Sequence, residues 1–152
     1  MLKEYYLISI LTILIAIVIF ILSFEKRKPR TREIVLLAVL TSMAIVGRLI
    51  FFMTPQFKPS VALIIITAIM LGKESGFLSG CLTAFISDFL FGQGPWTPWQ
   101  MIALGLIGVI SAWIFQGVGQ RFIYHRWILS LYGFFVTFML YGLIMDTATV
   151  VM

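Results

Sequence analysis

The sequence predicts an all-α integral membrane protein built from six hydrophobic helices. Three observations carry that prediction. Of 152 residues, 61% are hydrophobic and only 11% are charged, whereas a soluble domain carries about 25% charged residues. The mean hydropathy is +1.08. The charges also fall mostly between apolar stretches, as a lipid-embedded chain requires. Strand-like alternation is missing, so helices are the remaining way to satisfy a backbone in lipid. The net charge of +5 then reads as loop charge and not as a nucleic-acid surface. A disulfide scaffold is excluded by the single cysteine, Cys81, which lies inside an apolar run.

The elements follow in order. Tyr5–Phe24 has no charge and reaches the roughly 20 residues that a bilayer crossing needs. It is too long for a signal peptide, and Glu25, Lys26 and Arg27 follow it in place of a small-residue cleavage site, so it reads as a retained helix. Residues 1–24 thus form an N-terminal transmembrane helix. Residues 25–33 form a basic cytoplasmic linker, with seven charges in nine residues. Residues 34–152 form a transmembrane core. Its spans are Ile34–Met53, which contains Arg48; Ser60–Leu71; Gly76–Phe91, with Asp88 near its end; Trp99–Val118; and Trp127–Met145, which stops at Asp146. At ~1.5 Å per residue the second of these reaches only ~18 Å and needs protection by its neighbours.

If the spans alternate, Lys26, Arg27, Lys28, Arg30, Arg32, Lys73, Arg121 and Arg126 share one side. The other side has only Lys58, and Lys3 offset by Glu4. The positive-inside rule places the basic loops in the cytoplasm, and loops 54–59 and 92–98 outside with both termini. The linker charges read as a solvated loop attracted to anionic lipid.

Helices associate in lipid through small residues. Gly76, Gly80 and Ala84 recur every four residues and lead to Asp88, which places that carboxylate on a packed face. Gly108 and Ala112 make a weaker stripe, and Ala38 and Ser42 make another on the helix that carries Arg48. Ordinary packing explains such stripes; the sharper reading makes Ala38 and Ser42 a docking face for a membrane partner. Arg48 and Asp88 stand at similar depth with opposite sign. A charge at that depth costs ~2.5–3.5 kcal/mol or more, so it is paired or functional. One reading is a salt bridge that fixes helix register; the other is a polar cavity open to the outside.

The stretch Gly92–Gln100 holds two prolines, two glycines and two tryptophans. Trp96, Thr97, Trp99 and Gln100 there, with Phe57 and Lys58 from the neighbouring loop, offer aromatic faces and a few polar groups, the composition of a ligand pocket. An aromatic belt at the membrane surface accounts for one tryptophan equally well. Chemistry-bearing motifs are missing: there is no P-loop, no His-Glu-x-x-His and no nucleophile elbow. The lone His125 sits in a basic loop. No enzyme, no metal site and no cofactor are expected.

Taken in order, several segments resemble the substrate-binding S components of energy-coupling factor (ECF) vitamin transporters. They are Ala38…Ser42 with Gly47-Arg48, then Phe57-Lys58-Pro59, the turn Gly72–Gly76, Ser87-Asp88, and Gly94–Gln100. The resemblance covers about Thr31 to Met152. The Gly94–Gln100 segment is most similar to members associated with cobalamin, so the resemblance implies capture of cobalamin or another corrinoid; other members take riboflavin, thiamin or biotin on the same scaffold. It implies no activity as an enzyme. It further implies a site near the outer loops, and as partners a transmembrane scaffold subunit and two ATPase subunits. Docking on the scaffold would use the Ala38–Ser42 face. The family's core has six helices, whereas five follow the linker here. Either the core is truncated at its C-terminus or the N-terminal helix substitutes; the apolar Thr147–Met152 favours truncation. The competing expectation is a small membrane assembly protein without a ligand.

Overall fold

The computed structural model describes residues 2–28, 30–54, 59–92, 94, 96–117 and 125–151. Helices account for nearly all of them, and no strand occurs among the described residues. The helices are α1 (Leu2–Arg27), α2 (Thr31–Ile50), α3 (Pro59–Leu71), α4 (Lys73–Phe91), α5 (Thr97–Gln116), α6 (Arg126–Val136) and α7 (Gly142–Val151). A π-helical turn, Thr137–Tyr141, joins α6 to α7.

Each hydrophobic stretch read from the sequence is helical over most of its described residues. Three helical rods are long and apolar enough to cross a membrane among the residues described: Thr31–Ile50, Thr97–Gln116 and the continuous Arg126–Val150. Helix α3, at 13 residues, is too short to do so in straight form.

Local chemistry sets the boundaries. Pro59 opens α3 and Pro98 lies in the first turn of α5, positions where a missing N–H leaves no gap in the helix ladder. Gly72 and Gly92 flank α4 with φ of 107° and 105°, a region side chains rarely enter, so both ends of α4 turn on glycine.

Several boundaries differ from the sequence reading: α4 begins at Lys73 and not at Gly76, and α5 at Thr97 and not at Trp99. The basic linker is not a loop from residue 25 onward. Helix α1 runs to Arg27 and α2 starts at Thr31, because nothing before Pro29 breaks a helix and long charged side chains are good helix formers. Helix α2 stops at Ile50, and Phe51–Met53 form a turn. The last rod does not end at Asp146; it continues as helix to Val151.

The bundle is organised around α4 and α5, whose backbones touch. A Cβ at Gly80 would overlap the Leu104 carbonyl, and one at Gly108 would overlap the Gly76 carbonyl. Glycine at these positions is therefore what permits the approach, as in other lipid-phase helix pairs. Helix α3 nests against both, with Ala68 beside Gly76. Helix α2 covers α3 and α4, and Thr41 Oγ1 donates to Ser79 Oγ at 3.1 Å in a buried polar contact. The apolar centre is Val61, Ile64, Ile65, Ala84, Leu104, Ile107 and Val136. The α6–α7 rod joins through Tyr132, whose hydroxyl lies 3.1 Å from Ser111 Oγ and whose ring meets Phe115 edge-on at 4.7 Å. Helix α1 only brushes α4 and α5.

The two ends of the bundle are distinct. At one, Gly47 faces Pro59 and Phe52 stacks on Phe91 at 4.2 Å, so the C-termini of α2 and α4 meet the N-terminus of α3. At the other, Gln116 Nε2 donates to the Ile69 carbonyl at 3.3 Å. The turn carrying Trp96 lies at the first end.

Candidate functional site: a buried charged cluster beneath the tryptophan turn

The site begins with Arg48, in the last turn of α2. In an apolar helix its guanidinium has no solvent to satisfy it, so it reaches across the bundle. Nη1 donates to Ser87 Oγ at 2.6 Å, and Nη2 donates to Gln100 Oε1 at 2.6 Å. Ser87 in turn donates to the Thr83 carbonyl at 2.5 Å. One side chain thereby ties α2 to α4 and α5.

Asp88 stands beside this network at a looser distance. Its Oδ1 is 3.5 Å from Arg48 Nη2, beyond the ~2.7–2.9 Å of a tight charge-assisted hydrogen bond. The side chains are 14% and 5% exposed, so the pair is largely shut off from solvent. The Thr97 hydroxyl supplies Asp88 with a side-chain hydrogen bond. Asp88 Oδ2 is buried with no hydrogen-bond partner, and it is the single such side-chain atom among the described residues.

The turn above is shaped by Gly94 and Trp96. The Trp96 ring lies against Gly94 so closely that a Cβ there would overlap it. The Thr97 amide donates to the Gly94 carbonyl at 3.1 Å and the Gln100 amide to the Trp96 carbonyl at 3.0 Å, which starts α5 directly over the cluster. Trp96 is 41% exposed, Thr97 is buried, and Trp99 and Gln100 are half-buried.

Of the residues singled out from the sequence, Arg48, Asp88, Thr97 and Gln100 converge on one cluster. Trp96 and Trp99 flank it on the same turn and the first turn of α5. Phe57 and Lys58 lie outside the described residues. Ala38 and Ser42 share an exposed stretch of α2 away from the cluster, where Ser42 Oγ donates to the Ala38 carbonyl at 2.7 Å. Among the described residues no three His, Cys, Asp or Glu side chains gather as a metal would require.

One residue of the cluster escapes sequence reasoning as a contact. Ser87 is legible only as the neighbour of Asp88, yet it takes one arm of the guanidinium. Tyr141 comes from the π-helical turn and packs against the apolar centre of the bundle. Tyr141 also lines a cleft of about 770 Å³ between α3 and the α6–α7 rod. A π turn shifts the facing of every later residue, which a 3.6-residue period does not anticipate.

Fold and site together define a class: a helical membrane protein with a charged polar cluster sealed inside one end of the bundle. Comparison with known proteins is more specific. Residues 28–152 match the family described as the ECF-type riboflavin transporter, S component. The chain belongs to that family. Curated relatives are more distant. A UPF0397 protein of Vibrio atlanticus (strain LGP32) is 26% identical over 84 residues, covering 52% of this chain and 46% of its own length. UPF0397 proteins of Aliivibrio fischeri (strain MJ11) and Aliivibrio salmonicida (strain LFI1238) are each 27% identical over 84 residues, covering 52% of this chain and 45% of their own. The chain spans about half the length of the curated relatives it matches. No solved structure gives a significant match.

Proposed function

We propose that this chain is the membrane-embedded substrate-binding subunit of an ECF-type importer. It captures a vitamin or related micronutrient from outside the cell and passes it to a scaffold subunit driven by two ATPase subunits. The observation that carries the reading is the Arg48–Ser87–Gln100–Asp88 cluster under the tryptophan turn, in a chain of the S-component family. A buried charged network of this kind is expensive in lipid and marks a site that handles a polar ligand. The residues assigned to the substrate are Arg48, Phe57, Lys58, Asp88, Trp96, Thr97, Trp99 and Gln100.

Orientation follows from the basic residues: the Arg126 and Lys73 end is cytoplasmic, and the tryptophan turn faces out. All six hydrophobic segments are embedded, with short α3 shielded by α2, α4 and α5. The exposed Ala38–Ser42 surface is the smooth face that meets the scaffold.

For the substrate, the family description points first to a flavin. The Gly94–Gln100 segment supports a corrinoid as the second reading. The test is a binding panel on the full-length chain in nanodiscs, with riboflavin, cobalamin, thiamin and biotin titrated separately. One vitamin is expected to bind tightly, and uptake into vesicles is expected only when scaffold and ATPases are added. No binding by any vitamin would favour the assembly-protein reading.

A further inference from the structure

Helix α1 is the part of the chain that the family leaves unexplained. The family match begins at residue 28, whereas α1 ends at Arg27. The helix is long enough to cross a bilayer, and Tyr5–Phe24 carries no charge. Yet it adds little to its own bundle, where its contacts fall on α4 and α5 and are sparse. Lys3, Leu7, Ile10, Leu14, Ile17 and Ile21 are all exposed. Their alternating steps of four and three residues draw one line along the helix, the spacing with which one helix packs lengthwise on another. Glu4 falls about 100° round from Lys3 and off that line.

A receptor for such a helix lies on the opposite part of the molecule. The α6–α7 rod and α3 enclose a cleft of about 770 Å³. On the rod its lining runs from Leu129 to Asp146, which at ~1.5 Å per residue is ~25 Å. That is most of a hydrocarbon core of about 30 Å, whereas a lipid tail reaches through only about half of it. A groove of this length suits a spanning helix. Gly133 and Gly142 line it, and a Cβ on Gly142 would meet nothing within 4 Å. Glycine in a lipid-facing groove lets another helix approach closely. The π turn contributes Thr137, Phe138, Met139 and Tyr141 to the lining, and such turns recur at functional sites. Asp146 is the one charged side chain lining the cleft among the described residues, and it stands at the end of the groove.

The charges match. Five turns separate α1 from the rod, so with one crossing per helix Lys3 and Asp146 lie at the same membrane face. The cation at the start of the α1 line then meets the carboxylate at the end of the cleft, with the two helices antiparallel. The chain's own α1 is placed against α4 and α5 and not against the cleft. We propose that α1 of one copy docks in the cleft between α3 and the α6–α7 rod of a second copy, with Lys3 beside Asp146. Reciprocal docking closes a two-fold dimer.

The test uses two differently tagged full-length chains in one membrane, both Cys81→Ala so that only introduced thiols react. One carries Ile10→Cys and the other Met139→Cys. Ile10 is seven residues after Lys3 and Met139 seven before Asp146, so the thiols sit at matching depth. Mild oxidation is expected to yield a disulfide-linked pair bearing both tags. Asp146→Lys in the second chain should weaken association about two- to fivefold, the range of an exposed ion pair, and Lys3→Asp in the first should restore it. Gly142→Phe fills the groove and should abolish the two-tag product. Linkage only between two Ile10→Cys chains, or no two-tag product, would overturn the proposal. So would an unchanged yield in folded Gly142→Phe. If the cysteine chains do not fold, photobleaching of the labelled wild-type chain in dilute vesicles decides: two copies per spot are expected, and single copies would overturn the dimer. Vitamin capture stands or falls separately, on the binding panel above.

Discussion

The α4–α5 pair and the α6–α7 rod are both apolar and helical, yet they are packed in opposite ways. In α5, half of the most apolar window is buried; in the last rod the share is 6%. The α4–α5 contact is backbone on backbone through Gly76, Gly80 and Gly108, and Gly105 receives the Phe77 ring and the Cys81 sulfur of α4. In the rod, Gly142 has nothing within 4 Å of where a Cβ would stand, and Phe134, Phe138 and Leu143 are exposed. The contrast teaches that the charged cluster belongs to one side of the bundle. Arg48, Ser87, Asp88 and Gln100 are held by the tight α2–α4–α5 unit, while the α6–α7 rod meets the core along one narrow face through Tyr132, Val136 and Tyr141.

Substitutions can break or sharpen that contrast, and the largest effect is expected in the tight unit. Arg48→Met leaves Asp88 buried without its cation, which destabilises by ~3–5 kcal/mol. Thermal unfolding in detergent would show it, and adding Asp88→Leu should restore much of the loss. Next comes Gly80→Val, which forces α4 and α5 apart against the Leu104 carbonyl and costs ~1–3 kcal/mol by overpacking, read in the same melt. The matching change in the rod has the opposite sign. Gly142→Ala meets open space in a helical backbone and should stabilise by ~0.5–1 kcal/mol, because alanine is the better helix former. A loss at Gly142 as large as that at Gly80 would erase the distinction between the two regions. The smallest effect on stability is expected at Ala38→Leu, within ~0.5 kcal/mol for an exposed position. The same variant should lose co-purification with the scaffold subunit, and retention of the complex would remove the docking role of that face.

Much of this asymmetry is written in the sequence, and the reasons are physical. A charge in an apolar helix demands a partner, so Arg48 and Asp88 point to one another across 40 residues. Glycine and alanine at every fourth position before Asp88 announce a close helix contact, which became the α4–α5 seam. Gln100 and Thr97 were visible because they follow a stiff proline-rich turn. The π turn Thr137–Tyr141 is not legible, because it lies within an unbroken apolar run. The end of α1 at Arg27 is hidden for a related reason: charge density resembles a loop, but Glu, Lys and Arg propagate a helix until a proline stops it. The share of Arg48's bonds that goes to Ser87 and Gln100, and not to Asp88, depends on side-chain geometry that spacing does not encode.

The most direct measurement is native mass spectrometry of the full-length protein released from membranes, wild type beside Gln100→Ala. The account predicts a single small-molecule adduct of vitamin mass on the wild-type chain, shifted in mass when an excess of the isotope-labelled vitamin is added. That adduct should be absent from folded Gln100→Ala, in which Arg48 has lost one of its 2.6 Å partners. A bare wild-type chain in a preparation exposed to the vitamin panel, or an adduct held equally well by both proteins, would contradict it.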